Sequence, residues 1–82
     1  MITPTKGIAP QRALVSVAAQ VAMVLKEPMT ISQTWASLKE WRERNRHTAP
    51  ISFGWFVLAV DVLFALGALE YDEGLLRKKG QN

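Results

Sequence analysis

The stretch that decides the fold is Ile51–Leu69, ISFGWFVLAVDVLFALGAL. It is almost wholly apolar, and Asp61 is its one charge. Pro50 stops any helix that precedes it. Ser52 is a good N-cap, and Gly67 suits the left-handed position that ends a helix. Between them the sequence predicts a helix of roughly four turns. At about 100° per residue, Phe53, Phe56, Val57, Val60 and Phe64 share one stripe, with Leu63 at its edge. Trp55, Leu58, Val62 and Leu66 make a second, nearly opposite stripe. One stripe suffices for a small core, so the first is expected to face inward and the second to need a partner. A helix apolar all round is buried on every side or lies in a membrane.

Working outward towards the N-terminus, Thr30-Ile31-Ser32-Gln33 has the form of a capping box, Thr at the N-cap and Gln three residues on. It opens a helix with a narrow apolar stripe of Ile31, Trp35 and Leu38, Trp41 at one edge, and Lys39, Glu40, Glu43 and Arg44 opposite. Further back, Leu14, Val17, Ala18, Val21 and Leu25 recur at helical spacing and predict a first helix over Gln11–Leu25, closed by Pro28. Its alanines permit close helix approach. Met1–Pro10 reads as an irregular arm.

Towards the C-terminus, Ala68–Tyr71 and Leu75–Lys78 flank Asp72-Glu73-Gly74. This pattern predicts a short β-hairpin with glycine where the turn requires a positive φ. Gly80–Asn82 is a tail. Helix, helix, long helix, hairpin is the order of a winged helix-turn-helix. The expected fold is therefore mainly α with a small β-hairpin, a winged-helix-like single domain over residues 11–79. Residues near Met29 are placed to add a short third strand.

The totals agree with one small domain: 82 residues, 49% of them apolar. So high an apolar fraction in so short a chain leaves surface for association. The net charge of +3 and a pI near 9.7 permit contact with nucleic acid or an acidic protein without requiring either. There is no cysteine, so neither a disulfide framework nor a thiolate zinc site is available. The single histidine, His47, builds no metal cluster. The serines lack a histidine–acid context, and the glycines form no phosphate-cradling pattern. The acids have no pairing for general acid–base work. No enzyme, no cofactor and no small-molecule substrate are expected.

A signal peptide is disfavoured because Gln20 interrupts the first apolar run and Lys26-Glu27-Pro28 stands where small cleavage-site residues belong. A membrane span over Ile51–Leu69 approaches the ~20 residues required. Asp61 near its centre would cost ~2.5–3.5 kcal/mol, and the stretch resolves as a soluble helix plus a strand.

Two basic clusters, Arg42, Arg44, Arg46 with His47 and Arg77, Lys78, Lys79, are candidates for auxiliary phosphate contact. The third helix offers Trp55, Leu58, Val62 and Leu66 where base reading needs Arg, Lys, Asn or Gln. Such a surface suits burial against a protein. The expected protein interface is Trp55, Leu58, Asp61, Val62 and Leu66. Trp55, opposite the main stripe, is the anchor candidate. Asp61 has two readings: a boundary charge paired with a nearby base such as Arg42, or an interface charge facing a basic residue of a partner.

The Thr-led second helix with its tryptophan (TISQTW) and the segment FVLAVDVLFALGALEYDEGLL carry a resemblance. The chain resembles the very small middle components of prokaryotic ABC-three-component systems over roughly Ala13–Lys78. The matching features are Phe56, Val60-Asp61, Leu63, Leu66-Gly67-Ala68-Leu69 and the glycine-bearing hairpin at Gly74. The resemblance implies a cytoplasmic, non-enzymatic adaptor of winged-helix type. It would bridge an SMC- or RecN-like ABC ATPase and a variable effector in a mobile antiviral defence module. The family supplies no catalytic residues, and the arginine-rich Trp41–His47 segment is outside the pattern. The competing readings from the residues alone are a small winged-helix DNA-binding regulator and a small membrane protein.

Overall fold

The structure is a computed structural model that describes residues 10–46 and 50–80. The arm expected before residue 10, His47 and the last two residues of the tail lie outside the described residues. Three helices and a hairpin follow in order: α1 (Pro10–Val24), α2 (Ile31–Arg44), α3 (Phe53–Ala65), β1 (Leu69–Asp72) and β2 (Leu75–Lys78). This is the expected mainly helical, winged-helix-like order. Pro10, expected in the arm, instead opens α1, where its missing N–H is harmless.

Capping chemistry sets the helix limits. The Thr30 hydroxyl accepts from the Gln33 backbone N–H at 3.1 Å, and the Thr30 N–H donates to Gln33 Oε1 at 2.9 Å. Both halves of the box are made, so two backbone donors orphaned at the start of α2 are satisfied. At α3 the Ser52 hydroxyl accepts from the Trp55 N–H at 3.1 Å. Its far end is a Schellman closure. Gly67, at φ 73°, donates to the Phe64 carbonyl at 2.9 Å, and Ala68 donates to the Leu63 carbonyl at 2.8 Å. The apolar stretch therefore stops being helical after 13 residues, about 20 Å, and continues into β1. Among the described residues no helix is long and apolar enough to cross a membrane.

Glu73 and Gly74 both take positive φ, 52° and 80°, the backbone of a two-residue type I′ turn. The register that follows pairs Asp72 with Leu75, Tyr71 with Leu76, Glu70 with Arg77 and Leu69 with Lys78. Met29 adds a single antiparallel bridge to Leu76, with N–H···O distances of 3.0 and 2.7 Å. That bridge is the rudimentary third strand. It ties the α1–α2 connector to the hairpin.

The core lies where α1, α2, α3 and the hairpin meet. Val17, Ala18, Val21 and Leu25 come from the first segment, and Leu38 from α2. Phe56, Ala59, Val60 and Leu63 come from α3, and Leu69 and Leu76 from the hairpin. Trp35 and Trp41 pack against it, half-buried. Trp35 stacks near both Phe53 and Phe56, at centroid distances of 5.7 and 5.2 Å. The rotation of α3 differs from the two-stripe expectation. Phe53, Val57 and Phe64, expected inside, are exposed to 50%, 39% and 38%. Trp55, expected outside, is only 6% exposed.

The physical reason is Asp61. On a helical projection of about 100° per residue, Phe53, Gly54, Val57, Leu58, Phe64 and Ala65 all lie within roughly 80° of it. All six are exposed. Trp55, Phe56, Ala59, Val60 and Leu63 lie roughly 100° or more away, and all five are buried. Where every face is apolar, the one face whose burial would strip a carboxylate of water is the one left out.

Candidate functional site

The outer arc of α3 is the most unusual surface among the described residues. Phe53, Val57, Leu58 and Phe64 present large apolar side chains to solvent from one helix face, and Asp61 sits among them. Gly54, which has no side chain, and Ala65, with a single methyl, are exposed on the same face. Gly54 is tolerated in the first turn because the Ser52 cap holds the backbone beside it. Contiguous exposed apolar surface on a small domain marks an interaction site more often than scattered single residues do. The arc offers none of the Arg, Lys, Asn or Gln side chains that read base edges in the major groove.

The expected interface residues divide. Leu58, 47% exposed, and Asp61 fall on the outer arc. Val62 is half-buried at its margin and packs against the core. Leu66 is 74% exposed, but it caps the helix and lies away from the arc. The anchor role expected of Trp55 does not fit its position, because the residue is buried within the domain; its indole N–H finds no hydrogen-bond partner among the described residues. Phe53, Val57 and Phe64 are the arc residues that stripe analysis missed. Measuring every α3 residue by its angle from Asp61 would have found them.

The basic clusters are largely engaged within the chain. Arg42 is 8% exposed and donates from Nη1 to Gln20 Oε1 at 2.7 Å, linking α2 to α1. Burial lowers its pKa from the ordinary guanidinium value. The expectation that Arg42 contacts phosphate is therefore corrected: it is an interior link. The alternative that it pairs with Asp61 finds no such bond, since among the described residues the ion pairs are Arg44–Glu40 and Arg77–Glu70. Arg44 lies 3.8 Å from Glu40 on the exposed side of α2. Arg77 meets Glu70 across the hairpin at 2.8 Å. Arg46 and Lys79 are exposed, and Lys78 is half-buried. The two clusters come from different elements, the end of α2 and the end of β2, and one arginine of each, Arg44 and Arg77, stands at ion-pair distance from an acid. Arg46 owes its positive φ of 60° to the turn that ends α2.

Among the described residues no three acidic or histidine side chains group as a metal site requires.

With the fold and the arc in view, comparison with known proteins gives one match. A family model, ABC-three component (ABC-3C) system Middle Component 6, covers residues 3–79. The chain belongs to that family. No curated protein and no solved structure matches it. The family match spans α1 through β2 and so includes every element that frames the outer arc. As a middle component, the protein works with other components of a three-component system, which is consistent with an adaptor role.

Proposed function

We propose that this middle component is a non-enzymatic cytoplasmic adaptor that docks a protein partner on the outer arc of α3. In this reading it bridges an SMC-like ABC ATPase and an effector of a defence-type complex. The observation that carries the reading is the exposure of Phe53, Val57, Leu58 and Phe64 on one face of a helix that has no polar side except Asp61. The family supports the existence of further components, and the arc supplies a surface of the kind they need. The half-buried Val62, at the margin of the arc, would extend the contact. Arg46, Lys78 and Lys79 remain for auxiliary contact with DNA. A DNA-binding regulator is the weaker reading, because Arg42, Arg44 and Arg77 are engaged within the chain.

The test is binding of the purified ABC and effector components to the wild-type chain and to Leu58→Asp. A buried leucine at an interface is worth ~1–3 kcal/mol, and an aspartate in its place adds a desolvation penalty. We expect binding to at least one component to weaken a hundredfold or more, about 2.7 kcal/mol. The circular dichroism of the variant should match wild type, because Leu58 is half exposed. Unchanged affinity for both components would remove the outer arc as the docking surface.

A further inference from the structure

We infer that the element docking on the outer arc is an apolar protein surface carrying one lysine or arginine opposite Asp61, and that it is not a second copy of this chain. This deepens the docking reading above and rests on it. Asp61 is exposed, and among the described residues it takes part in no ion pair. The other arc residues are apolar, so any partner that covers Phe53, Val57, Leu58 and Phe64 also covers the carboxylate. A carboxylate removed from water without a counter-charge is strongly destabilising. Covering this arc therefore requires a cation from the incoming side. Lys39 of α2 lies over the Trp35 ring at 5.1 Å, and that ring packs against Phe53 at the N-terminal end of the arc.

A second copy fails on the same ground. A two-fold interface presents the same patch twice. Antiparallel α3 helices crossing near Ala59 would hold the two Asp61 residues about 6 Å apart along the axis, and parallel helices would hold them level. Either arrangement buries like charges together. A lipid surface fails as well, because the one charge on this face is negative and anionic headgroups repel it. A duplex fails for the same reason at its phosphates. An apolar protein element with one cation satisfies the arc's shape and its charge together.

The experiment titrates the purified ABC and effector components with four forms of the full chain: wild type, Leu58→Asp, Asp61→Asn and Asp61→Lys. Sedimentation of each form alone accompanies the titrations. Asp61 is exposed, so all Asp61 variants should keep the wild-type helical signal. We expect wild type to sediment as a monomer. Asp61→Asn should bind its component about tenfold or more weakly, and Asp61→Lys about a hundredfold or more weakly. Reversing the charge of one partner lysine or arginine should restore the Asp61→Lys complex. If Asp61→Asn binds as tightly as wild type while Leu58→Asp does not bind, the cation is overturned and the docking surface stands. If Leu58→Asp binds like wild type, both fall. A wild-type dimer that Leu58→Asp dissociates would overturn the exclusion of a second copy.

Discussion

Helices α2 and α3 are of similar length, 14 and 13 residues, and their sequences constrain them in opposite ways. In α2, Lys39, Glu40, Glu43 and Arg44 occupy one side, so only one rotation buries Leu38 and keeps those four in water, while Arg42 on the inner side is taken up by Gln20 of α1. In α3, apolar residues occupy every side, and many rotations bury similar area. The α2 sequence states its own orientation. The α3 sequence states it once, at Asp61. The comparison teaches that a helix is oriented by what it must keep wet at least as much as by what it can bury. A stripe of phenylalanines is a weaker guide to the core than the position opposite a lone charge.

The largest effects should come from truncating side chains on the two arcs of α3. Phe56→Ala and Trp55→Ala remove rings buried in the domain, and each should destabilise it by about 3–5 kcal/mol. Phe64→Ala removes a ring of equal chemistry that is already partly in water, and should cost less than about 1.5 kcal/mol. Urea denaturation of the three variants measures the difference. Equal costs at Phe56 and Phe64 would show that the arc assigned to Asp61 is not the outer one. Trp55 sharpens the same contrast, because its buried N–H has no hydrogen-bond partner among the described residues. Trp55→Phe forfeits no hydrogen bond, so its cost should fall well below that of Trp55→Ala.

Next in size is the contrast between the two helix starts. Thr30→Ala removes the hydroxyl that accepts from the Gln33 N–H and so breaks one half of the reciprocal capping box, while the Thr34 hydroxyl keeps its bond to the Thr30 backbone carbonyl. Loss of an N-cap side chain costs about 1 kcal/mol. Ser52→Ala should cost a comparable amount, since the Trp55 N–H loses its acceptor. Thermal unfolding of both variants should show similar drops in Tm. A much smaller effect at Ser52 would mean that packing of the buried arc alone fixes where α3 begins.

Much of the architecture was legible before the structure, because its signals are local. Thr30 with Gln33, Ser52, Gly67 and the Glu73-Gly74 turn each determine backbone geometry through their immediate neighbours. The element order and the hairpin followed from them. The short third strand expected near Met29 is reduced to a single bridge with Leu76. Rotation about the α3 axis is written in the sequence at one residue, Asp61, and a reading by apolar stripes passes over it. The interface followed that error: Trp55 went outside, and Phe53, Val57 and Phe64 went inside. Arg42 shows the same limit. Nothing near it in sequence reveals that Gln20, 22 residues earlier, receives its guanidinium in the interior. Leu58 and Asp61 are exposed because both lie on the arc that the charge defines.

The smallest expected effect is at Leu66, and its size is the point. Leu66 stands in the leucine-rich end of the apolar stretch, about 140° from Asp61 in projection, where an uninterrupted helix would bury it. Gly67 ends the helix first, and the side chain is left 74% exposed at the cap. Leu66→Gln therefore removes little buried apolar area. It leaves the Gly67 and Ala68 closure untouched, because those bonds use backbone atoms. Its stability should stay within about 0.5 kcal/mol of wild type, the usual range for a surface change. Gly67→Ala supplies the control. The added methyl meets no atom within 4 Å, so any cost comes from holding a non-glycine residue at φ 73°, about 1 kcal/mol. If Leu66→Gln costs more than Gly67→Ala in urea denaturation, Leu66 belongs to the core and the buried arc continues past the helix end. If it costs less, the termination of α3, rather than its composition, decides which of its leucines a partner can reach.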